Sequence, residues 1–367
     1  MKKTRDDIQK ECLNTVLKFP RASAAVGMGV GKTYIGLKYL QTLQYFSKNK
    51  QLKVLIVAPK LSIIDGWKTE AEKFSLNDTL KNATFCTYLS LKKQTSDYDV
   101  IILDEAHSLL ESHEEYLKSV SSKILGLTGT PPRQADSIRG ILFRKYCPIK
   151  YEYVINDAVD DNILNDYVIY VHMLSLSNEK NIEVKTKTAT FYTTEVANYN
   201  YWTKRLQDAN TPKSKQISSI MRMKAMMEFP SKETYAYDLF SKEKNKCILF
   251  CNTQNQADDL CQHSYHSKNA DRDQNLLDFK NGTITKLSCV LQLSEGVNIP
   301  NLKTGIVMHN YSENSPKGKQ RFGRLLRLNP NDKCTLHILC YKNTIDEQWV
   351  RKSLEDLSVE KINWLDI

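Results

Sequence analysis

A chain of 367 residues is too long for one ordinary domain and suits two or three. Its makeup, 41% apolar and 26% charged, excludes a collagenous or largely disordered chain, and no apolar run approaches the ~20 residues needed to cross a bilayer. Fifty-two basic residues against forty-two acids leave a net charge of +10, which suits a polyanionic partner. Nine cysteines are scattered without any Cys-x-x-Cys pair, so buried thiols in a reducing, cytoplasmic setting are expected. With a charged N-terminus and no apolar stretch behind it, no secretory signal is expected.

Short runs of β-branched and apolar residues mark strands in chain order. They are Val54-Leu55-Ile56-Val57, Val100-Ile101-Ile102-Leu103, Ile124-Leu125-Gly126-Leu127, Ile248-Leu249-Phe250, Leu287-Ser288-Cys289-Val290, Gly305-Ile306-Val307-Met308 and Leu336-His337-Ile338-Leu339. Amphipathic stretches over 33–46, 64–74 and 257–265 predict helices between them. Continuous apolar strands alternating with helices indicate parallel sheets covered on both faces, and the pattern occurs twice. The expected fold is therefore α/β with two parallel-sheet lobes in tandem, over 1–150 and 151–367, and a polar, threonine-rich insertion near 178–211 in the second. Within it, Ile182 to Thr186 and Thr190 to Thr193 alternate weakly, as a hairpin does. Past Pro212, Ile217, Ile220, Met221, Met223, Met226 and Met227 give one helix an apolar face that is read as core.

Four blocks carry chemistry. Gly27-Met28-Gly29-Val30-Gly31-Lys32-Thr33 opens a helix, and glycines before a helix N-terminus let backbone N–H groups close around phosphates. Gly29 and Gly31 supply that turn, Lys32 reaches the β- and γ-phosphates, and Thr33 offers its hydroxyl to Mg²⁺. Val26 stands where the first glycine of such a loop is usual. Asp104-Glu105-Ala106-His107 follows a strand, where Asp104 suits a Mg²⁺ ligand and Glu105 a general base; acids in that place also cap helices. Leu127-Thr128-Gly129-Thr130-Pro131 alone reads only as a turn. In Gln320-Arg321-Phe322-Gly323-Arg324-Leu325-Leu326-Arg327, Arg324 and Arg327 share one helix face, suited to charge on a transferring phosphoryl group or to a solvated surface.

In this order the four blocks resemble the superfamily 2 helicases and translocases of the Asp-Glu-Ala-His type. The resemblance extends to Ile56-Val57-Ala58-Pro59-Lys60 with Ile64-Asp65-Gly66-Trp67-Lys68-Thr69-Glu70, similar to chromatin-remodeller-type ATPases. Ile248 to Thr253, Leu293-Ser294-Glu295-Gly296-Val297-Asn298-Ile299-Pro300 and Thr344-Ile345-Asp346-Glu347 are similar to motifs of the second lobe. Gln320 to Arg327 and Ile155 to Leu164 look more like restriction-enzyme motor subunits and phage branch-migration helicases. The resemblance implies two RecA-like lobes facing each other across a cleft, with ATP and Mg²⁺ as cofactors. It makes Gln9 the adenine-reading glutamine, with Arg5 beside it, and assigns Glu105, Gln320, Arg324 and Arg327 to catalysis. His107, Thr128, Thr130, Ser294, Glu295 and Gly296 become residues coupling nucleotide state to grip on the strand. A helicase or translocase on DNA is the leading expectation. RNA as substrate, a motor subunit of a larger restriction-type complex, and a non-hydrolysing ATP-gated clamp stay open. So compact a motor fits a viral or mobile-element protein, acting without a membrane.

From Lys180 to Lys224 nine basic residues face three acids, Glu183, Glu195 and Asp208, with Phe191, Tyr192, Tyr199, Tyr201 and Trp202 interleaved. Lys185, Lys187, Lys204 and Arg205 are candidate nucleic-acid contacts on a strand-tracking surface. The alternative is a solvated insertion whose aromatics dock on the second lobe. Glu183-Val184-Lys185 after Asp166 mimics a nuclease pattern, but three residues without a supporting constellation do not make one.

Overall fold

The computed structural model describes residues 2–27, 29–47, 51–132, 135–186, 188–290, 299–310, 333–355 and 357–367. These fall into two compact units, one up to Asp166 and the other from Tyr167 on. Residue 150 lies inside a strand of the first unit's sheet.

The first sheet holds β1 (Arg21–Val26), β2 (Val54–Ala58), β3 (Ala83–Thr87), β4 (Val100–Asp104), β5 (Lys123–Thr128) and β6 (Ile149–Tyr153), in the spatial order β3-β2-β4-β5-β1-β6. Every adjacent pair is parallel. β2 and β4 are buried at every position, as sequences without polar alternation must be when helices cover both faces. The parallel arrangement puts all strand C-termini at one edge. β5 lies between β1 and β4, with Ala25 opposite Thr128 and Asp104 opposite Leu127. The loop after β1, the acids ending β4 and the threonines ending β5 are thereby gathered at that edge, where open α/β sheets bind ligands.

The second sheet contains β7 (Asp166–Leu174), then, after a separate hairpin of β8 (Ile182–Lys185) and β9 (Thr190–Thr193), the strands β10 (Cys247–Cys251), β11 (Ser264–Tyr265), β12 (Lys286–Val290), β13 (Thr304–Val307), β14 (Lys333–Tyr341) and β15 (Ile362–Asp366). Its order is β11-β12-β10-β13-β14-β7-β15. β15 runs parallel to β7, so the last strand is stitched to the first one of this unit. The helix expected over 257–265 spans Gln254–Leu260 instead. A Thr253–Gln256 capping box starts it early, and Ser264–Tyr265 leaves to pair with β12.

The hairpin expected in the insertion is present, with Ile182 opposite Thr193. Helices Glu195–Gln207 and Pro212–Met227 follow it and are anchored by buried polar groups. The Glu195 carboxylate is fully buried and accepts hydrogen bonds from the Ser177 and Ser231 N–H groups (both 2.9 Å) and from the Ser231 hydroxyl (2.7 Å). The Ile345 N–H donates to the Tyr199 Oη at 3.1 Å. The methionine helix is core only at its C-terminal end: Met226 and Met227 are buried, whereas Ile217, Ile220 and Met221 are exposed.

β7 and β14 bring two histidines together. His172 Nε2 lies 2.9 Å from His337 Nδ1, and His172 Nδ1 lies 2.8 Å from the Tyr235 hydroxyl. Burial, and then the neighbouring His337, lower His172 from its ordinary 6.5 to about 4, and burial lowers His337 as well. Below pH 6.5 the unfolded chain takes up a proton that folded His172 refuses, so stability falls with pH down to about 4 and levels off below. The expected loss from His172 is about 3 kcal/mol. Denaturant unfolding of the wild type and His172→Gln between pH 7 and 4 checks it; parallel pH dependences in the two proteins would refute the assignment.

Candidate ATP site

The loop after β1 begins at Gly27, because Val26, at the usual first-glycine position, is the buried last residue of β1. Gly29 and Gly31 have φ of 87° and 98°, the left-handed region that glycine alone enters freely. Gly31 then caps the helix Lys32–Phe46. At Gly31 a β-carbon would also meet Gln9 Nε2 at 2.7 Å and Arg5 Nη2 at 2.8 Å. Both side chains, from the helix Arg5–Val16, donate to the Val30 carbonyl: Gln9 Nε2 at 2.6 Å and Arg5 Nε at 3.1 Å. The loop is held from outside by the two residues that the sequence reading placed beside the base.

Asp104 ends β4 with its carboxylate buried. Oδ1 accepts the Glu105 N–H at 3.0 Å, and Oδ2 accepts the Trp67 Nε1–H at 2.7 Å. Its main-chain carbonyl accepts the Tyr88 hydroxyl at 3.0 Å. Burial foremost, then the charge of Glu105, raises the carboxyl from its ordinary 3.8 to about 6, against the opposing pull of Trp67 and Lys32. A carboxylate that burial penalises as an anion gains from an oxygen-seeking cation beside it.

Glu105 has φ of 48°, rare for a residue with a side chain and a conformation that stores about 1 kcal/mol or more. In that conformation its carboxylate reaches both sides of the site. Oε1 lies 3.7 Å from Lys32 Nζ, and Oε2 lies 3.4 Å from His107 Nδ1. The same His107 nitrogen is 3.0 Å from the Thr128 hydroxyl and 3.2 Å from that of Thr130, whose N–H donates to Thr128 Oγ1 at 3.1 Å. Lys32, Glu105, His107, Thr128 and Thr130 thus form one polar chain from the glycine loop to the end of β5.

A family model described as the res subunit of type III restriction enzymes matches residues 2–133, and one described as the helicase conserved C-terminal domain matches residues 231–329. The DNA 3'-5' translocase XPB2 of Sulfurisphaera tokodaii is 23% identical across 95% of this chain and 84% of its own length. The chain belongs to the superfamily 2 helicases and translocases. Members of this family hydrolyse ATP, and the chain is an enzyme of that class.

Solved structures agree on the fold. The ATP-dependent Type ISP restriction-modification enzyme LlaBIII, bound to DNA, aligns over 98% of this chain with a TM-score of 0.62 and 15% identity; the chain spans 31% of that protein. Dbp5 of S. cerevisiae, bound to RNA and ADP BeF3, aligns over 98% of this chain and 89% of its own with a TM-score of 0.56 and 13% identity. The two parallel sheets of this superfamily 2 chain are RecA-like lobes. Of the residues singled out from sequence, Ser294, Glu295, Gly296, Gln320, Arg324, Arg327 and Lys187 lie outside the described residues. Lys204 and Arg205 are exposed on the helix Glu195–Gln207, and Lys185 is exposed beside Glu183, 3.0 Å from its carboxylate. Among the described residues no helix is long and apolar enough to cross a membrane. The motif reading quoted Trp67 within the segment 64–70 but missed its bond to Asp104, which spans 37 residues of sequence and leaves no spacing signal.

Proposed function

We propose that this superfamily 2 chain is an ATP-driven motor acting on DNA, as a translocase or helicase. The polar chain from Lys32 through Glu105 and His107 to Thr128 carries the reading, because it joins a phosphate loop to a strand-end carboxylate pair. In this reading the loop with Gly29 and Gly31 cradles phosphates, Lys32 exchanges Glu105 for them, and Gln9 presents its amide to the base. Asp104 and Thr33 hold Mg²⁺, and the donor chemistry fits: a buried carboxylate and a hydroxyl, both hard oxygens. The metal, when bound, neutralises charge on the phosphate oxygens. Glu105 takes the proton of the attacking water, and His107, Thr128 and Thr130 report the state of that carboxylate to the end of β5. Arg324, Arg327 and Gln320 are assigned to catalysis by the resemblance, as Ser294, Glu295 and Gly296 are to coupling.

DNA is favoured over RNA by the translocase relative, while the net charge of +10 suits either polyanion. An ATPase assay with single-stranded DNA, duplex DNA and RNA side by side tests the substrate; stimulation by RNA alone would overturn it. Lys185, Lys187, Lys204 and Arg205 are the proposed backbone contacts, Lys187 on the sequence alone; Phe191, Tyr192 and Tyr201 of the same segment are exposed. Neutralising all four is expected to weaken DNA binding and flatten its salt dependence, and an unchanged slope of log K against log salt would remove them from the interface. A second reading, the motor subunit of a restriction-type assembly in the cytoplasm, is favoured by the match to the res subunit and is tested by co-purification.

A further inference from the structure

Trp67 stands at the middle of the helix Leu61–Lys73 and is fully buried. Two features set it apart from an ordinary core aromatic. Its Nε1–H donates to Asp104 Oδ2 at 2.7 Å, so a neutral donor from a different element holds one oxygen of the buried carboxylate while the Glu105 N–H holds the other. The far edge of the indole lies over Gly36, on the helix that follows the glycine loop. A β-carbon there would collide with the ring Cη2 and meet Leu127 Cδ1 at 3.1 Å. The space Gly36 leaves lets the indole reach Asp104 across the loop helix. Each carboxylate oxygen accepts one hydrogen bond and keeps a second lone pair, so the group is fixed in orientation without being saturated.

We propose that Trp67 is a positioning residue of the ATP site, holding the Asp104 carboxylate in the one orientation in which its remaining lone pairs receive a divalent cation. The inference rests on the reading of this edge as the ATP site. Partners that orient a metal-binding carboxylate are worth about 10–100-fold in metal affinity, and Trp67 is the side-chain donor to this one. Phenylalanine keeps most of the ring and removes the N–H.

The test is equilibrium binding of a fluorescent ADP analogue to the full chain as a function of Mg²⁺ concentration, which involves no turnover. Trp67→Phe is expected to raise the Mg²⁺ concentration at half-effect by about 10–100-fold, with binding in EDTA as in the wild type. Gly36→Ala, which displaces the ring without touching Asp104, is expected to move the half-point in the same direction. An unchanged half-point in folded Trp67→Phe, or in Gly36→Ala, would leave Trp67 as core and overturn the proposal. Asp104→Asn separates the two levels of the argument. If it abolishes the Mg²⁺ dependence while Trp67→Phe does not alter it, only the role of Trp67 falls; if Asp104→Asn also changes nothing, the ATP-site reading falls with it.

Discussion

Glu105→Gln is expected to bind ATP as the wild type does and to turn it over about 10²–10⁴-fold more slowly. The amide keeps the size of the carboxylate and one carbonyl oxygen toward Lys32, 3.7 Å away in the native protein, so the loop has no reason to rearrange. What disappears is the acceptor of the water's proton. Glu105 is set for that role by a backbone at φ 48°, which turns its side chain toward Lys32 and His107 instead of along the strand direction. Single-turnover hydrolysis and nucleotide affinity measured on the same preparation check the split. Equal turnover in the variant would take Glu105 out of the role of base.

Lys232→Met is expected to destabilise the second unit by about 3–5 kcal/mol. Lys232 Nζ and Asp346 Oδ2 are 2.5 Å apart with side chains 1% and 4% exposed, and the ammonium lies 4.4 Å from the centre of the Tyr341 ring. Methionine fills the space of the lysine stem but leaves the Asp346 carboxylate charged and dry. Asp346 also accepts the Tyr341 N–H at 3.1 Å, so Asp346→Asn, which retains an acceptor, is the right second change. The double variant is expected to regain most of the loss, because the orphaned charge is then gone. Denaturant unfolding followed by circular dichroism measures both, and a single variant within ~1 kcal/mol of the wild type, the range of exposed ion pairs, would show the pair to be solvated.

Strands of continuous aliphatic residues were legible because burial on both faces removes any need for polar alternation; β2, β4 and β10 are of that kind. β1 escaped for the converse reason. Its Ala22-Ser23-Ala24-Ala25 core has no β-branched residue and so gives no strand signal, although it is buried and the Ser23 hydroxyl donates to the Cys147 carbonyl at 2.6 Å. The loop, the acids after β4 and the threonines after β5 were readable because each is contiguous in sequence. The bond of Trp67 was not, because it exists only between a helix and a partner on β4. Glu195 was counted as an acid offsetting the basic segment, yet it is fully buried as an anchor, so the exposed surface of that segment is more positive than the raw charge suggests. The aromatics divide similarly: Tyr199 docks while Phe191, Tyr192 and Tyr201 face water, an outcome that composition alone does not sort.

The fastening of Arg5 and Gln9 to the Val30 carbonyl has a thermal consequence. The first turn of a helix frays more readily than a central strand, and here that turn is braced by the Thr4–Asp7 capping box. Warming that unwinds it would slacken the glycine turn while the sheet below is still intact. Affinity for the nucleotide would then vanish over a lower range of temperature than the melting of the lobe, and a heated sample would hold well-ordered molecules that have already let go of their fuel.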